Sequence, residues 1–307
     1  MGRYALRRSL QAVPVFFGTT FLIFALVFAI PGDPIRALSG DRPVSRTTVE
    51  ALRAEYHLDD PLVVQYGTYL AGLARGRFGR DFNGRPVADI MAQRFPVTLR
   101  LTLVAFAFEL VAGLAAGVLA ALRRRSFVDT LVLVTTTLII SIPVFVLGFT
   151  LQLLFGVRLG WFPVAGISAG WGSYLLPGVV LGATSLAYVA RLTRTSLVEN
   201  LRADYVRTAV AKGLSRRRVV GRHALRNSLI PVVTYLGIDL GALMGGAIVT
   251  EGIFNLPGIG QQLFASIRRQ EGEVVVGIVT ALVLIFILAN LAVDLLYGVL
   301  DPRIRHE

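Results

Sequence analysis

Apolar positions in this chain are gathered into blocks much longer than the short stripes of a soluble fold. Runs near 9–30, 97–121, 127–153, 174–191, 228–250 and 274–299 reach or approach the roughly 20 residues that cross a hydrocarbon core. Each predicts a transmembrane helix. Such helices satisfy their own backbone and pack into one bundle, so the pattern predicts an all-α, polytopic bundle of six spans. The fourth run is short and ends where Arg191 and Arg194 appear. The first, from Leu10 to Pro31, has no small-residue cleavage site in the usual place, and reads as a retained signal-anchor span.

Two polar stretches between the runs keep a helical period. In 31–96, Val49, Leu52 and Tyr56 fall at helical spacing after Thr47, and Val63, Tyr66, Leu70 and Leu73 repeat the pattern. They predict two short amphipathic helices against the outer surface; PVADIMAQRFPVTLRL then leads back into the membrane through another short helix. In 192–227, Leu197, Leu201, Tyr205 and Ala209 share a face. Gly213 interrupts, and Ser215 is placed to cap a second helix carrying Val219, Val220 and Ala224. The prediction is a helix, a glycine turn and a second helix. Too charged for lipid and too short to span, this hairpin suits a docking element for a soluble partner or a surface loop against anionic headgroups.

Composition supports a membrane protein: 54% of the 307 residues are apolar and 16% are charged, with mean hydropathy +0.66. The chain has no cysteine, which removes disulfides and thiolate chemistry. His57, His223 and His306 are too scattered to suggest a metal centre. The net charge of +12 raises nucleic-acid binding, but its distribution argues against that partner. Arg3, Arg7 and Arg8 precede the first span, Arg123, Arg124 and Arg125 follow the second, and 201–226 holds seven arginines and one lysine. Nine arginines in 31–96 are nearly balanced by eight acids. Positive charge at alternate crossings predicts cytoplasmic N and C termini.

Within the spans, Pro143, Pro177 and Pro231 interrupt apolar sequence. Gly113 and Gly117 make a small-xxx-small face, as do Gly237, Gly241, Gly245 and Gly246 in the fifth. These features suit tight packing or helices that shift between two states. Glu109, Asp239 and Asp294 lie in or near spans and should face the bundle interior, a water-filled path or a partner subunit.

The segment DYVRTAVAKGLSRRRVVGRHALRNSLIPVVTYLG, Asp204 to Gly237, resembles the signature of permease subunits of ATP-binding-cassette importers. More narrowly, the chain is similar to the first permease type of the dipeptide, oligopeptide and nickel branch. PGDP at 31–34, LDDPLVVQY at 58–66, EGIFNLPGIGQQL from Glu251 to Leu263 and NLAVDLLYGVLDPRIR from Asn290 to Arg305 extend the resemblance along the whole chain. Order and spacing together make it specific. RGRFGRDF at 75–82 and RRQEGEVVVG at 268–277 depart from the branch pattern.

The resemblance implies a type I importer permease fold, with 1–96 as a first span plus extracytoplasmic loop and 97–307 as a five-span core bearing the coupling loop 192–227. It gives Gly213 the turn of that loop, with Ala209, Ala211 and Lys212 in the helix before it. Asp204, Tyr205, Arg207, Arg216, Arg217 and Arg218 complete the surface toward the ATPase. At Arg207 the broader family has a glutamate. Further implications are a second homologous permease, two cytoplasmic ATP-binding subunits or domains that hold ATP and magnesium, an extracytoplasmic substrate-binding protein, and a di- or oligopeptide cargo, with nickel or glutathione as alternatives.

The residues themselves argue against chemistry in this chain. No G-x-x-x-x-G-K-[ST] phosphate loop is present, and the one lysine, Lys212, lacks a glycine-rich cradle. No nucleophile, base and orienting group stand together. An ion-driven secondary transporter is the rival reading; it has the membrane acids but no inverted repeat of broken helices. An assembly subunit without a path is a third. The arginine pattern makes one expectation directly testable: reporters fused after Arg124 or Arg217 should be cytoplasmic and one after Asp60 external, and reversed accessibility would overturn the orientation.

Overall fold

The computed structural model describes residues 2–29 and 60–300, without the side chains of 2–6, 29, 246 and 292–300. PGDP and the helix expected around Val49 to Tyr56 lie outside the described residues. The described chain is helical, in the order α1 (Gly2–Ala29), α2 (Leu62–Leu73), α3 (Val87–Leu122), α4 (Phe127–Ser141), α5 (Val144–Arg158), α6 (Gly172–Asn200), α7 (Asp204–Ala211), α8 (Leu225–Ile253), α9 (Ile259–Arg268) and α10 (Gly272–Leu300). Among the described residues, five helices are long and apolar enough to cross a membrane, and the bent pair α4–α5 makes a sixth if it is one span.

Residues 98–256 form one compact unit. Its centre is the contact of α3 with α6. A Cβ added at Gly178 would lie 2.5 Å from the Val104 side chain, and one at Gly182 would lie 2.7 Å from the Ala105 carbonyl oxygen. At the other end, a Cβ on Gly113 would lie 2.8 Å from Val189 and one on Gly117 would lie 2.5 Å from the Ala190 oxygen. Four glycines, two on each helix at i, i+4, thus let the backbones meet. The contacts rise together in sequence, so α3 and α6 run parallel.

Parallel helices need a crossing between them, and α4–α5 supplies it. Asp129, in the first turn of α4, pairs with Arg194 near the end of α6. Gly148, on α5, faces Val180 near the beginning of α6 and Ile253 at the end of α8. The chain therefore passes from the 194 end of α6 to the 180 end, bending by 105° on the way. Pro143 causes the break. A proline disfavours α geometry in the residue before it, and Ile142 is extended at φ −91°, ψ 125°. Pro96, Pro177 and Pro231 stay inside continuous helices.

Three boundaries differ from the hydropathy reading. The fourth span is 29 residues long and runs through Arg191 and Arg194, because Asp129 neutralises Arg194 and Arg191 is exposed to solvent or headgroups. The expected short helix at 86–101 is the start of α3, with no break at Pro96. Helix α8 runs past the fifth run, which ends near 250, and Glu251 is buried in its last turn.

Residues 1–97 and 257–307 form the second unit, so the last span packs with the N-terminal segment, where the sequence division at 96 grouped it with the core. The start of α10 lies against the end of α1: a Cβ on Gly272 would meet Val27 at 3.1 Å. Helix α2 is tied to the α1 span. The Tyr66 hydroxyl is 2.8 Å from Thr20 Oγ1, and the Phe24 ring meets Tyr66 edge-on and Tyr69 at a tilt.

The glycine contacts predict a graded response. Gly117→Ala or Gly182→Ala forces overlap with backbone and should destabilise the purified protein by about 1–3 kcal/mol. Gly67→Ala, in a helix with nothing within 4 Å of the added atom, should be neutral or slightly stabilising. Thermal unfolding in detergent measures all three.

Candidate functional site

The polar hairpin after α6 is built as a cap on the bundle. Helix α6 ends at Asn200, α7 begins at Asp204, and a single turn at Arg216–Arg218 leads through a π-helical turn, Val219–Ala224, into α8. Ala121, Leu197, Val206, Ala209, Val219 and Ala224 form one buried cluster, with Leu201, Leu214 and Leu225 against it. The ends of α3, α6 and α7 and the beginning of α8 thus share a core. Helix α7 is strongly amphipathic, and its apolar side faces inward.

This divides the face anticipated from periodicity. Leu197 and Ala209 are inside, whereas Tyr205 is 39% exposed and donates its hydroxyl hydrogen to Asn200 Oδ1 at 2.6 Å. The inward side of α7 is set by Val206 and Ala209, and Tyr205 stands on its flank in the first turn. Ala209 therefore anchors the hairpin to its own bundle and is not available to a partner. The outward side presents Asp204, Tyr205, Arg207, Val210, Ala211 and Lys212, and then Arg216, Arg217 and Arg218. Arg207 pairs with Asp204 one turn away, both exposed.

Gly213 sets the turn. Its φ is +78°, its N–H donates to the Val210 carbonyl at 2.9 Å, and the Leu214 N–H donates to the Ala209 carbonyl at 3.3 Å. These bonds close a Schellman motif, and Leu214 packs back onto the cluster containing Ala209. Nothing lies within 4 Å of a Cβ at this position. The requirement is one of backbone conformation alone, which glycine meets most easily.

Asp129 holds the neighbouring loop. Its carboxylate accepts from Arg194 Nε at 2.5 Å, from Arg194 Nη2 at 2.8 Å and from the Arg125 N–H at 2.8 Å. Arg125 has φ +62°, so the turn after α3 is clamped to α6 one helical turn before Leu197. Sequence reasoning passed over Asp129. The spacing Ser126-x-x-Asp129 at a helix start was the available signal.

Two of the three membrane acids come together. Glu109, fully buried, opens a π-helical turn at Glu109–Gly113 in α3. Its carboxyl lies beside Asp239 on α8 and Ser185 on α6. Asp239 Oδ1 accepts from Ser185 Oγ at 3.0 Å and from the Tyr235 hydroxyl at 3.2 Å. Asp294 falls in α10, where its side chain lies outside the described residues. A fourth acid, Glu251, is also fully buried and accepts from Thr98 Oγ1 at 2.5 Å. The two segments that depart from the branch pattern meet in the other unit, where the Arg80 N–H donates to Glu273 Oε2 at 2.8 Å.

The hairpin caps one end of an apolar helical bundle, and comparison with known proteins says what kind of bundle this is. Residues 113–306 match the family described as binding-protein-dependent transport system inner membrane component, and residues 1–102 match the corresponding N-terminal family. The chain belongs to this family. It is a permease subunit of an ATP-binding-cassette importer, a transport component and not an enzyme.

Full-length relatives place this permease in the peptide, nickel and glutathione branch. It is 41% identical over 308 residues to the glutathione transport system permease protein GsiC of Escherichia coli, covering 100% of both chains. To the di/tripeptide transport system permease protein DppB of Pseudomonas aeruginosa it is 43% identical over 330 residues, covering 98% of each. Among solved structures, the inward-facing MetNI methionine ABC transporter superposes with TM-score 0.57 at 21% identity, over 69% of this chain and 96% of that one. That likeness supports the permease fold.

The conformation of Gly213 predicts an order of substitutions. A left-handed residue other than glycine costs about 1–2 kcal/mol, least for asparagine and most for a β-branched side chain. Gly213→Asn should therefore be mildest, Gly213→Ala intermediate and Gly213→Val most damaging to permease-dependent ATP hydrolysis, with membrane insertion unchanged. Equal activity across the series would show that the turn has no part in coupling.

Proposed function

We propose that this permease carries a tripeptide-sized solute, glutathione or a di- or tripeptide, across the cytoplasmic membrane. The observation that carries the reading is end-to-end similarity, near two-fifths identity, to permeases named for those cargoes. Support for cargo thus moves from peptides of open-ended length toward glutathione, which is itself a tripeptide.

The outward side of α7, with Lys212, Gly213 and Arg216 to Arg218, is the surface we assign to the ATPase partner. Its support is exposure and charge on a hairpin that is packed firmly into the bundle. ATP and magnesium belong on two ATP-binding subunits, and closure of that pair would move the ends of α3, α6 and α8 through the shared cluster. A second, homologous permease completes the path. The exposed side of α8, where Ile238, Gly245, Val249 and Gly252 stand unopposed, is the close-approach surface we assign to it; Gly241 is buried within the unit. An extracytoplasmic binding protein would deliver cargo, and both termini lie in the cytoplasm, as the arginine pattern favours.

The test is reconstitution of the permease with its partner subunits and binding protein in vesicles. ATP-dependent uptake of labelled glutathione should occur, with tripeptides competing and long oligopeptides failing to compete. Uptake of long peptides without glutathione or tripeptide uptake would overturn the cargo reading. Uptake by this chain alone in an ion gradient would overturn the importer mechanism.

A further inference from the structure

The cluster around Glu109 has an unmet electrostatic demand. Asp239 Oδ1 takes both available hydroxyl hydrogens, from Ser185 and Tyr235. Asp239 Oδ2 and both carboxyl oxygens of Glu109 are buried without a hydrogen-bond donor. Glu109 is 0% exposed and Asp239 9% exposed. The groups that act on Glu109 are Asp239 and Ser185, and those on Tyr235 are Asp239, Ser185 and Glu109; none is cationic. Tyr188 covers Tyr235 with ring centroids 6.0 Å apart, and Val189, Val232 and Leu236 form an apolar cluster with Leu110 and Tyr235 against it.

Two adjacent anions are not tolerated in such a place. Each buried charge loses several kcal/mol of hydration after relaxation, and their mutual repulsion is little screened there. Serine and tyrosine hydroxyls ease one oxygen of one carboxylate and leave three. A single positive charge between the two carboxyls would meet the demand, and both hydroxyl oxygens remain able to accept. The π-helical turn that begins at Glu109 strengthens the case, since such turns concentrate at functional positions.

We propose that Glu109 and Asp239 together hold one monovalent cation, a proton or an alkali-metal ion, between α3, α6 and α8.

Infrared spectroscopy of the purified permease complex, in choline buffer and in sodium or potassium buffer, tests it. A protonated-carboxyl band that shifts in D2O and disappears in Glu109→Gln supports the site with a proton as occupant. No such band, with thermal stabilisation by sodium or potassium over choline that is lost in Glu109→Gln and Asp239→Asn, supports it with a metal ion. A band that persists in the Glu109→Gln, Asp239→Asn double variant, with no alkali-ion dependence, overturns the proposal. In the wild-type complex, absence of both a D2O-sensitive carboxyl band and alkali-ion stabilisation overturns it without any variant.

Discussion

The close approach of α3 to α6 is the constraint on which the rest of the core unit depends. In a bilayer there is no hydrophobic drive between helices, so association relies on van der Waals contact and hydrogen bonds. Gly178 and Gly182 provide contact at one end, Gly113 and Gly117 at the other. Two such contacts fix both the separation and the register of a parallel pair. Everything else is then measured from α6. Ser185 meets Asp239 on α8, Ser196 lies beside Ser228, and Arg194 reaches Asp129 on α4.

The hairpin inherits its position from that frame. A polar loop of this length could have been a tether, yet Val206 and Ala209 are buried against Leu197 and Ala121. The hairpin is packed onto the helix ends it covers. Its outer side is left free to carry charge, and the Schellman turn at Gly213 keeps inner and outer sides from exchanging. The clamp between Asp129 and Arg194 adds α4 to the same rigid end. The hairpin is thereby packed against the ends of three spans.

Much of this was legible beforehand because it is local. Run length predicts spans, helical period predicts the hairpin, and a lone glycine between two amphipathic segments predicts a turn. The family, too, was legible from motifs in order along the chain. The misses share a different cause. The fourth span looked short because Arg194 seemed too costly to include, and its neutralising partner lies on another helix. Ala209 and Tyr205 looked equivalent because they stand four apart on one helix, and only packing put Val206 and Ala209 inward and left Tyr205 on the flank. Gly178 and Gly182 escaped notice because a small-residue pair has meaning only opposite another.

By itself, then, the sequence determined the class of the protein: an apolar, all-α membrane permease with a charged hairpin and no chemistry of its own. Hydropathy, charge clustering and turn residues act on their immediate neighbours, so they survive reading in one dimension. Only the tertiary structure decided which acids meet. Glu109 and Asp239 sit on different helices, and their contact depends on the register in which α3, α6 and α8 pack. That register is the sum of many small steric contacts, among them four glycines too small to announce what they face.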